Sequence, residues 1–486
     1  MQRKFSQIIH PLSCFDKRLI APNGGDSYNP RRNISSTLLE RELNYPENAA
    51  RLLELIGEKK AVIGITGMGY VGLPLMRAFC DVGFSVLGFD TDDKKVRALN
   101  DGRSYIRTVD GKDITRLRES GLFEATGEYP RLKEVDAVLI CVPTPLDRSQ
   151  NPDLSYVENT GRQIGANIRP GQIVILESTT YPGTTEEVLK PLLEESGLKC
   201  GLDFFLAYSP EREDPGNPSY RTDSIPKVVG AVDEASREIA CKLYASVVVS
   251  VVPVSSPGVA EACKILENIY RSVNIALVNE LKLLFDRMDI DIWEVIDAAA
   301  TKPFGYHPFY PGPGLGGHCI PVDPFYLAWK ARQYNFSTRF IELAGQINTA
   351  MPEYVVNKVV QALSEHGKAL RGARVLLVGM AYKKDVDDMR ESPGIHLADM
   401  LIRRGALVSY HDPYIPALPK TRDYDLRLVS VPLSEEVLAE QDCAVIITDH
   451  SNIDYSRLVE RSKVVVDTRN ATKSIPADLR AKVIKA

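Results

Sequence analysis

Along residues 61–90 the chain passes from an apolar run to a helical stretch and back to an apolar run. Residues 61–66 (Ala-Val-Ile-Gly-Ile-Thr) predict a strand, 73–82 a helix, and 84–90 a second strand that ends on Asp90. Apolar runs with polar ends recur at 135–141, 172–176 and 204–209, and their turns are expected at the carboxyl edge of a parallel sheet. From 257 to about 289 the pattern predicts one long helix. Lys264 and Asn268 share a face of it with Arg271 next along, and Leu266, Ile269, Val273, Ala276, Leu277 and Leu281 are expected to pack on the other side. A second α/β series follows: strand 374–379, helix 392–404, strand 406–412 ending on Asp412, and strands at 442–447 and 463–470. This predicts an α/β protein of two doubly wound domains joined by a long central helix.

The loop between the first strand and helix sharpens that picture. Gly67-Met68-Gly69-Tyr70-Val71-Gly72 is a G-x-G-x-x-G sequence between strand and helix, with an acid about twenty residues on. That is the dinucleotide-binding arrangement of a Rossmann-like domain. Gly67 permits the tight turn, Gly69 lets backbone N–H groups reach a pyrophosphate, and Gly72 allows close helix–strand packing. Asp90 is expected to accept from the ribose hydroxyls and to repel a 2′-phosphate, which favours NAD over NADP; Lys94 and Lys95 temper that preference. The second series repeats the plan without the glycines. Its loop, Tyr382-Lys383-Lys384-Asp385, suits a phosphate-bearing ligand other than the dinucleotide.

Residues 311–324 (Pro-Gly-Pro-Gly-Leu-Gly-Gly-His-Cys-Ile-Pro-Val-Asp-Pro) hold four glycines and four prolines, so they form a shaped loop, not a helix or strand. It presents Cys319 beside His318, with Asp323 four residues on, a setting that serves either a nucleophile or a buried, inert thiol. Composition narrows the classes. A length of 486 residues implies two or three domains, and the boundaries read as 1–58, 59–255, 256–355 and 356–486. The net charge of −5 gives no basic surplus for nucleic acid or anionic membrane. The eight cysteines lie singly with no Cys-x-x-Cys, which argues against a disulfide framework or a zinc site and for a reducing cytoplasm. The first residues lack the apolar core of a signal peptide, and the apolar run 247–254 is too short to span a bilayer. Residues 1–58 read as an accessory segment, with a short helix from Pro46 to Leu55.

Together these motifs resemble the nucleotide-sugar 6-dehydrogenases of the UDP-glucose/GDP-mannose dehydrogenase family over about residues 60–475. The carrying motifs are Gly67–Gly72 with Asp90, Ser178-Thr179, Pro210-Glu211, Lys264-x-x-x-Asn268, Gly316-Gly317-His318-Cys319 to Asp323, Tyr382 to Asp385 with Arg390-Glu391-Ser392, and Asp467-x-Arg469. The resemblance implies four-electron oxidation of a sugar C6 alcohol to the uronate for surface polysaccharide precursors, through a thiohemiacetal and a thioester on Cys319. It assigns Lys264 to the oxyanion, Asn268 to its support, Asp323 with Thr179 to ordering water, and Glu211 to thioester hydrolysis. The cofactor set is Gly67, Met68, Gly69, Tyr70, Val71, Gly72, Asp90, Lys95, Thr144 and Arg390, for NAD. The substrate set is Glu211, Arg212, Lys264, Asn268, Tyr310, Gly316, Lys383 and Arg469, for a UDP-sugar. No metal, nucleic acid or membrane is implied, and a homodimer or higher homo-oligomer is.

Two departures refine the resemblance. UDP-glucose members usually carry Ser before the cysteine and Lys before the aspartate, where this chain has His318 and Val322. That form, with residues 325–330 (Phe-Tyr-Leu-Ala-Trp-Lys), is similar to the branch acting on UDP-N-acetylhexosamines, UDP-N-acetylglucosamine above all. UDP-glucose, UDP-N-acetylgalactosamine and UDP-N-acetylmannosamine are the alternatives. A non-catalytic nucleotide-sugar-binding homologue is another reading, as is a 2-hydroxy-acid or β-hydroxyacid dehydrogenase with no need of Cys319. Residues 301–307 contain no arginine where family members often insert one into the partner subunit's site.

Overall fold

Two parallel sheets, one after the other along the chain, dominate the computed structural model, which describes residues 45–106, 109–147, 149–212, 224–317, 320–421 and 424–486. The first sheet has eight strands: β1 (Val62–Thr66), β2 (Ser85–Phe89), β3 (Phe123–Thr126), β4 (Ala137–Ile140), β5 (Ile173–Leu176), β6 (Phe205–Tyr208), β7 (Lys227–Ala231) and β8 (Val251–Pro253). Their order is β3-β2-β1-β4-β5-β6-β7-β8, with β6 and β7 antiparallel and the other pairings parallel. The strand order runs outward both ways from β1 and β4, so the carboxyl ends of those two strands flank the switch point where such sheets bind ligands. The second sheet has β9 (Arg374–Val378), β10 (Leu407–His411), β11 (Cys443–Ile446), β12 (Val465–Asp467) and β13 (Val483–Lys485) in the order β10-β9-β11-β12-β13. Both central strands are buried on both faces, which is why their sequences are near-continuous apolar runs.

Of the accessory segment, residues 1–44 lie outside the described residues. The helix Glu47–Gly57 follows Pro46 and buries Ala49, Leu52 and Ile56 on the first domain's core. Among the described residues no helix is long and apolar enough to cross a membrane.

The long helix is present as Pro257–Arg287, capped by the Ser256 hydroxyl on the Val259 N–H. Its burial departs from the expected faces in part: Ala276 is buried and Ile269 and Leu281 pack on apolar clusters as expected, but the polar face is covered as well. Glu261, Lys264, Asn268, Ser272, Asn279 and Lys282 are buried, whereas Leu266 and Leu277 are 66% and 51% exposed. The buried polar groups are tolerated because they are paired. Glu261 accepts from the Gly183 and Thr185 N–H groups, and Asn279 donates to Asn348 on the helix Arg339–Glu365. The Asn279 carbonyl oxygen in turn accepts from the N–H of Gly312, at the start of the cysteine-bearing loop.

Candidate active site

The carboxyl ends of β1, β4 and β5 open onto a cavity of about 830 Å³. Gly67, Gly69, Tyr70 and Val71 form one wall, and Asp90, Lys95, Thr144, Thr179, Glu211, Lys264 and Arg390 complete the part anticipated from sequence. Gly67 has φ +90°, and a Cβ there would stand 2.6 Å from the Cys141 carbonyl oxygen, so the turn admits no larger residue. At Gly69 nothing lies within 4 Å of where a Cβ would be, which leaves that backbone open to a ligand. Asp90 sits at the end of β2 and is 7% exposed. Its carboxylate accepts from the Met68 N–H at 3.0 Å and the Asp92 N–H at 2.9 Å, and Lys95 Nζ lies 3.3 Å away. An open backbone loop beside a fixed acid is a cradle that fits a dinucleotide.

Lys264 also belongs to a second polar cluster. Asn268, one turn further along the central helix, donates to Asp323 Oδ2 at 2.6 Å. Asp323 opens the helix Asp323–Arg332 and is 1% exposed. Burial pushes its carboxyl up to about 7, with the Lys264 charge and the Asn268 bond pulling the other way. His318 and Cys319 lie outside the described residues. The residues around them are fixed from the C-terminal domain. Gly317, at φ +82°, donates its N–H to the Arg390 carbonyl at 3.1 Å, and Cβ atoms at Gly316 and Gly317 would come within 2.7 and 2.9 Å of Tyr382. The Arg390 guanidinium lies 4.2 Å from the Tyr70 ring centroid while its other side pairs with Asp388. The second domain therefore holds the cysteine-bearing loop and touches the nucleotide loop of the first.

Three stretches of the chain match, in order, the NAD-binding domain (residues 61–248), the central domain (258–350) and the UDP-binding domain (376–474) of the UDP-glucose/GDP-mannose dehydrogenase family. The chain belongs to that family. It is 37% identical over 376 residues to a UDP-N-acetyl-D-glucosamine 6-dehydrogenase of Pseudomonas aeruginosa, covering 77% of this chain and 88% of that one. It is 36% identical over 419 residues to the protein CapL of Staphylococcus aureus, covering 85% and 96%. Among solved structures, a UDP-D-ManNAc dehydrogenase from Pyrococcus horikoshii superposes with a TM-score of 0.77 at 32% identity, over 86% of this chain and 97% of that one. The chain is thus an NAD-dependent nucleotide-sugar dehydrogenase, acting on a CH–OH group.

Several anticipated residues of the dehydrogenase stand off the cavity. Met68 is fully buried: its N–H is given to Asp90 and its carbonyl accepts the Tyr105 hydroxyl at 2.5 Å, so it braces the loop from behind. Gly72 packs against the loop, beside Ile65. Arg212 is held by Glu267 at 2.7 Å and the Pro226 carbonyl. Tyr310 gives its hydroxyl to Asp297 and is 46% exposed, which separates it from the cavity wall. Arg469 donates to the Ile447 carbonyl and lies against Gly312, the same loop that carries the cysteine. Lys383 follows Tyr382, the ring that packs on Gly316 and Gly317, and does not line the cavity.

Sequence reasoning passed over the cavity's buried ionic cluster. Glu177, directly after β5, lines the wall and pairs at 2.7 Å with Lys227, the first residue of β7. Tyr244 donates its hydroxyl to the same carboxylate, and Lys227 lies 5.0 Å from the Tyr244 ring centroid. Glu211 is the cluster's third member, 3.5 Å from Lys227. The one available signal was a lysine opening an otherwise apolar strand, Lys-Val-Val-Gly-Ala.

Proposed function

We propose that this dehydrogenase oxidises the C6 hydroxymethyl of a UDP-N-acetylhexosamine, UDP-N-acetylglucosamine foremost, to the uronate with the sugar held covalently on Cys319. The observation that carries the reading is the Lys264–Asn268–Asp323 cluster. It joins the cavity wall to the loop bearing Cys319 four residues before Asp323. NAD supplies the hydride acceptor for both oxidations, so one alcohol, two NAD⁺ and one water become one carboxylate, two NADH and three protons. Lys264, at the wall, sets a cation beside the alkoxide that develops at C6. The Cys319 thiolate adds to the aldehyde, which prevents its escape between the two oxidations, and the thiohemiacetal becomes a thioester. Glu211 takes a proton from the water that attacks the thioester, and the thiolate leaves. On this reading Asp90 receives the adenosine ribose, Arg390 closes over the nucleotide loop, and Lys383 and Arg469 serve the UDP end. The six described cysteines, all free thiols, are in keeping with a reducing cytoplasm.

The test is a panel of UDP-sugars and GDP-mannose scored by NADH formed per sugar consumed. Two NADH per sugar is the expected result; a ratio of one would return the chain to a two-electron alcohol dehydrogenase. Within the panel, kcat/KM for UDP-N-acetylglucosamine should exceed that for UDP-glucose. A missing apolar contact to the acetamide is worth only about 1–3 kcal/mol, a factor of roughly 10 to 200. UDP-glucose oxidised as well as the N-acetyl sugar would remove the branch assignment.

The exposed side of the central helix supports a homodimer. Val259, Leu266, Tyr270, Leu277, Leu284 and Met288 recur at steps of seven and four, and all are more than two-fifths exposed in the single chain. An apolar stripe of this spacing is the kind of face a second helix covers. Light scattering is expected to give twice the chain's mass, and the Leu266→Glu/Leu277→Glu variant to give one chain's mass. A wild-type protein that is monomeric at micromolar concentration would exclude the dimer.

A further inference from the structure

Of the buried triad Glu177–Lys227–Glu211, only Glu211 has a part in the mechanism above; Glu177 also lines the cavity, and Lys227 pairs with both carboxylates. Lys227 and Glu177 are almost wholly enclosed, with side chains 5% and 0% exposed, and the Glu211 side chain is 14% exposed toward the cavity. A lone buried ammonium is costly and is retained only when paired. Here Lys227 Nζ has Glu177 at 2.7 Å, the Pro210 carbonyl at 3.4 Å and Glu211 at 3.5 Å. Pro210 immediately precedes Glu211, so a single ammonium holds both the carboxylate and the backbone that carries it. Among the described residues the triad is also faced by the Tyr244 hydroxyl on Glu177, the Arg212 N–H on Glu211 at 2.7 Å, the Cys141 thiol after β4 and, on the same cavity, Lys264. Arg212, next to Glu211, is spent on Glu267 and does not supply the cation in its place.

We propose that Lys227 is a positioning residue for the hydrolytic half of the reaction: clamped by Glu177, it holds the Glu211 carboxylate ionised and turned toward the cavity. The proposal rests on Glu211 being the base for thioester hydrolysis. A cation 3.5 Å from a carboxylate favours its charged form, and a base must be ionised to accept the proton of water. Glu177 tunes the device, because it competes for the same ammonium at the shorter distance. The two partners therefore have opposite effects on Glu211. Removing the Lys227 charge makes Glu211 harder to ionise; removing the Glu177 charge leaves the whole of Lys227 to Glu211 and makes ionisation easier. Neither change touches the alcohol oxidation, whose oxyanion is served by Lys264.

The experiment follows acyl-enzyme breakdown against pH by rapid quench and intact-protein mass, with the NADH burst recording the first oxidation in the same samples. Glu211→Gln is the reference and is expected to accumulate the acyl-enzyme. Lys227→Met should move the rising limb of the profile up by about one pH unit, which slows breakdown by up to about tenfold on the acid side of the limb, with the burst unchanged. Glu177→Gln should move the limb the other way. Because Lys227→Met leaves Glu177 buried beside Tyr244 and can misfold, Glu177→Gln carries the test alone in that case. A limb that stays at its wild-type position in the variants that fold overturns the role of Lys227. Rapid breakdown in Glu211→Gln instead overturns the assignment of the base, and the inference with it.

Discussion

Replacing Asp323 by asparagine is expected to raise the melting temperature at pH 8 while removing turnover. Asp323 is 1% exposed, and burial pushes its carboxyl from 3.8 to about 7. An acid whose folded-state value is raised binds its proton more tightly in the fold than in the unfolded chain. Its contribution to stability is therefore complete below about pH 4 and is lost as the pH rises from there through 7. Three units correspond to about 4 kcal/mol given up by pH 8, as an upper figure. Asparagine keeps the shape and an acceptor for the Asn268 amide but carries no charge to bury, so ~1–3 kcal/mol of that is expected back, or a few degrees in Tm. The comparison is a melting series from pH 4.5 to 8.5, in which the two proteins converge at the acid end and separate above neutrality. An Asn variant that melts at or below wild type at pH 8 would show that the ionised aspartate is not a burden on the fold. If Asp323 orders water in its ionised form, as the family resemblance implies, the same shift predicts that wild-type kcat rises with pH through about 7.

The first domain was legible because its strands are apolar runs bounded by glycine, and because the acid of β2 has a local task. Asp90 ties the Met68 N–H to the end of β2, a link that G-x-G-x-x-G followed by an acid encodes directly. The second domain repeats this beyond what its pattern suggests. Asp412, after β10, accepts from the Met380 N–H at 2.6 Å and the Ala381 N–H at 2.9 Å, just after a Gly379 at φ +87°. In this copy the acid also meets His450, whose ring nitrogen sits 3.1 Å from Asp412 with both side chains fully buried. The fold is duplicated down to the glycine, the methionine and the acid, but the nucleotide cavity lies at the first copy.

The central helix misled for a physical reason. Amphipathic patterning assumes that the apolar face is the one its own chain covers. Here the covered face carries Glu261, Lys264, Asn268 and Asn279 beside Ala260, Ile265, Ala276 and Val278, because neighbouring segments bring N–H groups and side chains to meet the polar ones, while a second apolar stripe through Leu266 and Leu277 faces outward. Lys227 escaped for the converse reason. It meets Glu177, fifty positions earlier in the chain, only because β7 runs antiparallel beside β6, and strand order is not written in local spacing.

Cys319→Ser is expected to lower steady-state uronate formation by about 10³-fold or more, the scale on which removal of a covalent nucleophile acts. A cysteine thiol is in general partly thiolate at working pH, and the thiolate is the nucleophile. A serine hydroxyl has no such population, and it adds to the aldehyde slowly. If it is acylated, the oxygen ester is a poorer substrate for Glu211-assisted hydrolysis than a thioester. One of two signatures follows. Either the NADH yield per sugar falls from two toward one, because the variant stalls at the aldehyde and leaves no lasting adduct, or two NADH form in the first turnover and a mass increment of one nucleotide-linked uronyl group persists on the protein. The seat of Gly316 and Gly317 on Tyr382 is left as it is by this substitution. Uronate produced at the wild-type rate, with two NADH per sugar and no persistent adduct, would take Cys319 out of the chemistry. The aldehyde would then have to be held by hydration alone, with Lys264, Asp323 and Glu211 as the remaining machinery.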